Sequence, residues 1–309
     1  MSNSPDLSVN LGGINFPGPV LLASGTAGYG EELETVLAGG GIGGIIVKSI
    51  TLEPRDGNPP PRIVETPSGM LNAIGLANVG VEAFIRDKMP FLRRLKIPVI
   101  VNVAGFAIDD YVETAKRVSA QDGIAGIELN ISCPNVKKGG MEFGVEPGPA
   151  EEITSRVRAV VKQPLIVKLS PNVTDIAVMA QAVKNGGADA VAVINTYVEM
   201  VIDIQKRRPV LKNGVGGLSG PAIRPLAVRC VWQVRKKVDI PILGLGGIMD
   251  GNSAMEFILA GASAVAVGTG SFLDPNMGAR VTEGIGKYMT EAGVKKLAEL
   301  VGKAHPVSA

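Results

Sequence analysis

The sequence predicts an α/β protein closed as a TIM (β/α)8 barrel, and three observations carry that expectation. Eight runs of the chain are short, apolar almost throughout, and end on a polar residue or a glycine. Amphipathic stretches lie between most of them, such as residues 109–120 and 174–184. Two runs nearly repeat, GADAVAV at 187–193 and GASAVAV at 261–267, each after an apolar helical pattern that glycine ends, so one αβ unit is used more than once. Strands buried on both faces read as continuous apolar runs. Eight βα units of this length close most economically as a barrel.

In chain order the runs are VLLAS at 20–24 (β1), IIVKS at 45–49 (β2), PVIVNV at 98–103 (β3), GIELNIS at 126–132 (β4), LIVKLS at 165–170 (β5), AVAVINT at 190–196 (β6), PILGLGG at 241–247 (β7) and AVAVGTG at 264–270 (β8). The long β2–β3 and β6–β7 connections, residues 50–97 and 197–240, exceed the usual length, and loops that long usually carry function. Residues 1–309 read as a single domain. A doubly wound sheet is the competing architecture. Its nucleotide fingerprint is missing, because the glycine clusters beginning at Gly214 and Gly244 each lack the third glycine of G-x-G-x-x-G.

Composition narrows the function class. The 31 basic and 29 acidic residues nearly cancel, with no basic tract for nucleic acid or anionic lipid, so small-molecule chemistry is expected. The first residues lack the basic and apolar regions of a secretory signal, which predicts a cytoplasmic protein. Residues 257–273 carry no charge, but Gly261, Gly268 and Gly270 break them into a helix end, a turn and a short strand rather than a membrane span. Cys133 and Cys230 are far apart and the sole histidine, His305, is near the C-terminus, so no Cys/His zinc cluster is expected.

In a barrel the chemistry sits where strands end. Those ends supply Ser24, Lys48 with Ser49, Asn102, Asn130 with Cys133, Lys168, Asn195 with Thr196, Gly246 with Gly247, and Gly268 with Thr269. Single asparagines and glycines there are ordinary turn residues. The lysines are not. Period-two counting puts Lys168 on one face with Ile166 and Ser170, facing the barrel interior, where an ammonium needs an anion. A buried carboxylate such as Glu128 is one candidate partner. The other is a bound ligand: glycines ending β7 and β8 match the place where barrels bind phosphate through bare backbone amides. Phosphate, lysines and asparagines together suit a phosphorylated ring with several amide edges, a description that fits flavin mononucleotide (FMN), whose reduced ring a lysine stabilises.

Pro134 pushes Cys133 into an extended conformation off the end of β4. With no histidine nearby, its thiolate is the most credible base for a proton removed beside a hydride-donating carbon. Cys230, within VRCVWQV, reads as an inert core residue.

These residues resemble the class I dihydroorotate dehydrogenases over nearly the whole chain. The most specific element is N-x-S-C-P-N at 130–135, followed by K-K-G-G-x-x-F-G at 137–144, which looks like the NAD-linked, two-subunit class rather than the fumarate-using one. The resemblance implies FMN in a TIM barrel and oxidation of dihydroorotate to orotate in pyrimidine synthesis. Cys133 would be the catalytic base. Lys48, the loop Asn72, Ala73, Ile74, Gly75 and Leu76, and Asn130, Asn195 and Thr196 would bind substrate. The cofactor would be held by Ser24, Lys48, Ser49, Asn102, Asn130, Lys168, Ile194, Gly220 in the L-S-G-P turn, Gly246, Gly247, Gly268 and Thr269. Neither a cysteine cluster nor a dinucleotide fingerprint is present, so the resemblance also implies a partner subunit carrying FAD and a [2Fe-2S] cluster, around a homodimer core within a heterotetramer. Rival readings are a flavin barrel acting on another dihydropyrimidine such as dihydrouracil, a Schiff-base lyase using Lys168, and a barrel that only binds a phosphorylated ligand.

Overall fold

The computed structural model describes residues 4–132 and 143–306. Eight parallel strands close into one barrel: β1 (Val20–Leu22), β2 (Gly44–Ile50), β3 (Val99–Val103), β4 (Gly126–Asn130), β5 (Leu165–Lys168), β6 (Ala190–Val193), β7 (Ile242–Leu245) and β8 (Ala264–Val267). Each pairs with its neighbours in chain order, and β8 pairs with β1 to close the ring. All eight lie within the runs the sequence marks, or overlap them by all but a residue or two.

The alternation along each strand separates two cores. Leu21, Ile46, Ile100, Ile166, Ala192, Leu243 and Ala266 pack inside the barrel. Their chain neighbours Val20, Ile45, Val101, Val167, Val191, Ile242 and Val265 pack outward against the helices. Both faces are apolar, which is why the strands read as unbroken apolar runs. A hairpin of Val9–Leu11 and Ile14–Phe16 packs Leu11, Ile14 and Phe16 into the interior cluster. It turns through Gly12 and Gly13, both at positive φ.

The helical patterns expected at 109–120 and 174–184 are helices Ile108–Ser119 and Ile176–Asn185. The near-repeats follow equivalent helices, the second being Gly251–Ala260. Asp175 and Asp250 cap the two N-termini, accepting hydrogen bonds from the Ala177 and Ser253 amides at 2.8 and 2.7 Å. Residues 257–273 are divided among the end of helix Gly251–Ala260, strand β8 and the short helix Gly270–Leu273. No helix among the described residues is long and apolar enough to cross a membrane.

The two long connections meet each other. Ile63–Thr66 and Gly69–Asn72 from the β2–β3 connection join Gly216–Ser219 and Tyr197–Glu199 from the β6–β7 connection in one four-stranded antiparallel sheet. This sheet stands over the C-terminal ends of the barrel strands and walls the space above them.

Candidate active site

One cavity of about 1350 Å3 opens at the C-terminal mouth of the barrel, bounded by strand ends below and by the four-stranded sheet above. Its lining includes Ser24, Lys48, Ser49, Asn130, Lys168, Ile194, Asn195, Thr196, Gly220, Gly246, Gly247, Gly268 and Thr269, together with the loop from Asn72 to Leu76. Separate strands thus bring the residues singled out from the sequence to one place. Two are exceptions. Cys133 lies outside the described residues, although the chain reaches the cavity wall at Ser132 and returns to it at Gly144. Asn102 is fully buried and is not part of the lining.

One side of the mouth is built of side-chain amides. Asn130 Oδ1 accepts from the Ser132 amide at 3.3 Å and from Asn195 Nδ2 at 3.4 Å, while Asn195 Oδ1 accepts from the Thr196 amide at 2.9 Å. Tyr111 donates its hydroxyl to the Asn130 carbonyl at 2.9 Å, holding the end of β4 from behind. Each amide is oriented yet keeps hydrogen-bonding capacity for a ligand.

The other side is bare backbone. Gly246, Gly247 and Gly220 have φ of 135, 74 and 97°, a region side chains rarely enter. A Cβ on Gly247 would lie 2.6 Å from the Gly220 carbonyl oxygen, so the two turns pack as closely as glycines permit. A Cβ on Gly25 would meet nothing within 4 Å, and one on Gly268 nothing nearer than 3.8 Å, so backbone there faces open space. The short helix Gly270–Leu273 starts directly after β8. Loops after strands seven and eight with a short extra helix are where barrels commonly seat a phosphate. Thr269 donates to Ser219 Oγ at 2.7 Å, tying this rim to the sheet above.

The two lysines differ. Lys48 is half-buried and makes no ion pair among the described residues. Burial holds its ammonium below the ordinary lysine value, and the neighbouring Arg62 adds to that. Lys168 is buried on the cavity floor with its Nζ 3.9 Å from Glu128 Oε1. Lys168 thus pairs with the buried carboxylate that the sequence offered as one partner, and it also lines the cavity.

Sequence reasoning passed over several lining residues. Asn172 donates to the Thr196 carbonyl at 3.0 Å and to Ser170 Oγ at 3.1 Å, and accepts from the Val198 amide at 2.9 Å, bracing the turn that carries Asn195. Its position two residues after Ser170, just past a proline, was the available signal. Ser132, Ser170, Gly25 and Thr26 also line the cavity. Cys230 is buried as expected, 3.8 Å from the Tyr197 hydroxyl; burial raises both groups above their ordinary values. Among the described residues no group of three or more His, Cys, Asp or Glu side chains could hold a metal.

Comparisons with known proteins agree with this fold. The profile of the dihydroorotate dehydrogenase family matches residues 6–289. The chain is 53% identical over 298 residues to the dihydroorotate dehydrogenase B (NAD(+)) catalytic subunit of Geobacter sp. (strain M21), covering 96% of this chain and 98% of that protein. It is 52% identical over 297 residues to the protein of the same name from Bacteroides thetaiotaomicron, with the same coverage. The crystal structure of DHODH in complex with ferulenol from Eimeria tenella superposes with a TM-score of 0.84 at 26% identity, over 99% of this chain and 90% of that one.

Proposed function

The chain belongs to the dihydroorotate dehydrogenase family, and from that premise we propose that it oxidises dihydroorotate to orotate on bound FMN, as the catalytic subunit of an NAD-linked enzyme. The observation that carries this reading is the convergence of side-chain amides, two lysines and bare glycine backbone on one cavity at the barrel mouth.

The residues present fit FMN. Its phosphate suits the open backbone of Gly246, Gly247, Gly268 and Thr269, and Gly220 closes the turn beside them. Ser24, Ser49, Asn130 and Lys168 would offer donors to its ring edges, and Ile194 an apolar wall. Asn102 would serve from beneath the floor rather than at the cavity surface. When bound, FMN would supply the two-electron oxidant for the substrate.

The remaining work falls to side chains. Cys133 takes the C5 proton as general base, a contribution of about 100- to 10,000-fold in rate. Lys48 presents a poorly solvated ammonium to the anionic substrate. Asn72, Asn130, Asn195 and Thr196 read the amide edges of the ring, with the backbone of Ala73, Ile74, Gly75 and Leu76 closing over it. A partner subunit carrying FAD and a [2Fe-2S] cluster would take the electrons on to NAD.

A visible spectrum of the purified chain, followed by dihydroorotate in the absence of air, tests the reading. Flavin bands that bleach on addition support it. A colourless chain that takes up no FMN overturns the cofactor, and equal bleaching by dihydrouracil overturns the substrate.

A further inference from the structure

Glu128 is a carboxylate sealed inside the barrel. It is fully buried, in the middle of β4, with its backbone in register with Asn102 on one side and Ile166 on the other. One oxygen gathers three neighbours, from β3, from β5 and from just past the end of β1. Asn102 Nδ2 donates to Oε1 at 2.5 Å, Ser24 Oγ donates to it at 3.4 Å, and Lys168 Nζ stands 3.9 Å away. The second oxygen, Oε2, and the side-chain Oδ1 of Asn102 are buried without a hydrogen-bond partner. A carboxylate this deep is costly, and an apolar residue of similar volume would fill the site at less expense. Its neighbours point to another use: Ser24 and Lys168 both line the cavity floor above it.

We propose that Glu128 is a positioning residue for the FMN-binding floor, holding Lys168, Asn102 and Ser24 in one arrangement and offsetting part of the Lys168 charge presented to the flavin ring. The inference rests on the FMN reading. A positive charge beside the ring favours the reduced, anionic form, and a carboxylate behind that charge moderates it. Glu128 thereby sets the reduction potential of the bound flavin without touching it.

The experiment uses the full chain loaded with FMN, in wild-type and Glu128→Gln forms. Glutamine keeps the volume and an acceptor for Asn102 and Ser24 but removes the charge. The readout is the reduced-to-oxidised flavin ratio, followed by visible absorbance against a redox dye at fixed potential. The variant is expected to raise this ratio about tenfold, equivalent to about 30 mV for a two-electron couple. A variant that melts at lower temperature yet keeps the wild-type ratio has lost packing alone, and the proposal falls. Should Glu128→Gln not fold, Glu128→Asp, which withdraws the carboxylate by one methylene, must raise the ratio at least threefold; an unchanged ratio likewise overturns the proposal. A wild-type chain that binds no FMN sinks the cofactor reading instead, so the two failures are told apart.

Discussion

The near-repeats at 187–193 and 261–267 build the same helix-to-strand unit and then part company. Both strands are AVAV, buried throughout, and both follow a helix whose N-terminus an aspartate caps. After β6 the chain continues Ile194, Asn195, Thr196 and presents an amide that hydrogen-bonds to Asn130. After β8 it continues Gly268, Thr269, Gly270 and presents open backbone running into a short helix. The scaffold is shared and three residues at its lip choose the chemistry. Under the proposed function the amide side of the mouth serves chiefly the substrate and the glycine side the FMN phosphate, a division that substitutions can break.

The largest effect is expected from the proposed base. Cys133→Ala should cut turnover at neutral pH by about 100- to 10,000-fold while the chain stays yellow, as steady-state rates and the flavin spectrum together will report. Loss of flavin with loss of rate would remove the base assignment. Next is the glycine side, where Gly247→Ala forces a Cβ against the Gly220 carbonyl at positive φ. Strain of about 1–3 kcal/mol should weaken FMN retention roughly tenfold or more, seen by dialysis against flavin-free buffer; full retention would show that this side does not hold the cofactor. Asn195→Ala, back on the amide side, should raise the dissociation constant of orotate about tenfold with flavin retention unchanged. A matching fall in retention would erase the division.

The smallest effect comes from Lys48. Because burial lowers its pKa, it sheds its proton below the ordinary value of 10.5. Orotate binding should therefore weaken as pH rises, by about twofold where half of Lys48 has lost its charge. Lys48→Arg should carry that loss out of range. A flat profile in the wild-type chain would mean that Lys48 does not meet the anionic substrate.

The barrel was legible because every strand is buried on both faces, so hydrophobicity alone marks it; β2, β4 and β5 remained readable even with Lys48, Glu128 and Lys168 inside them. The lip residues followed from knowing where strands end. The four-stranded sheet over the mouth was not legible. Its strands are four residues or fewer, include Gly69, Gly216 and Gly217, and pair according to tertiary register rather than local pattern. The hairpin at 9–16 carried a signal in Gly12-Gly13 between alternating residues, but its burial at Leu11, Ile14 and Phe16 depends on the barrel above it. Glu128 stood in plain view within an apolar run. Its gathering of Asn102, Ser24 and Lys168 requires three other strands to be in place.

The sheet shared by the two long connections has a consequence for how the chain is made. Met70 and Ser219 are neighbours across 149 residues. During translation the hairpin at 63–72 leaves the ribosome long before its partner strand at 216–219, and until then one of its edges has nothing to pair with. Four barrel strands, β3 to β6, are synthesised in that interval. Strands β7 and β8 are still to be made when 216–219 emerges, so a nascent chain holds every strand of its cover before its last two staves.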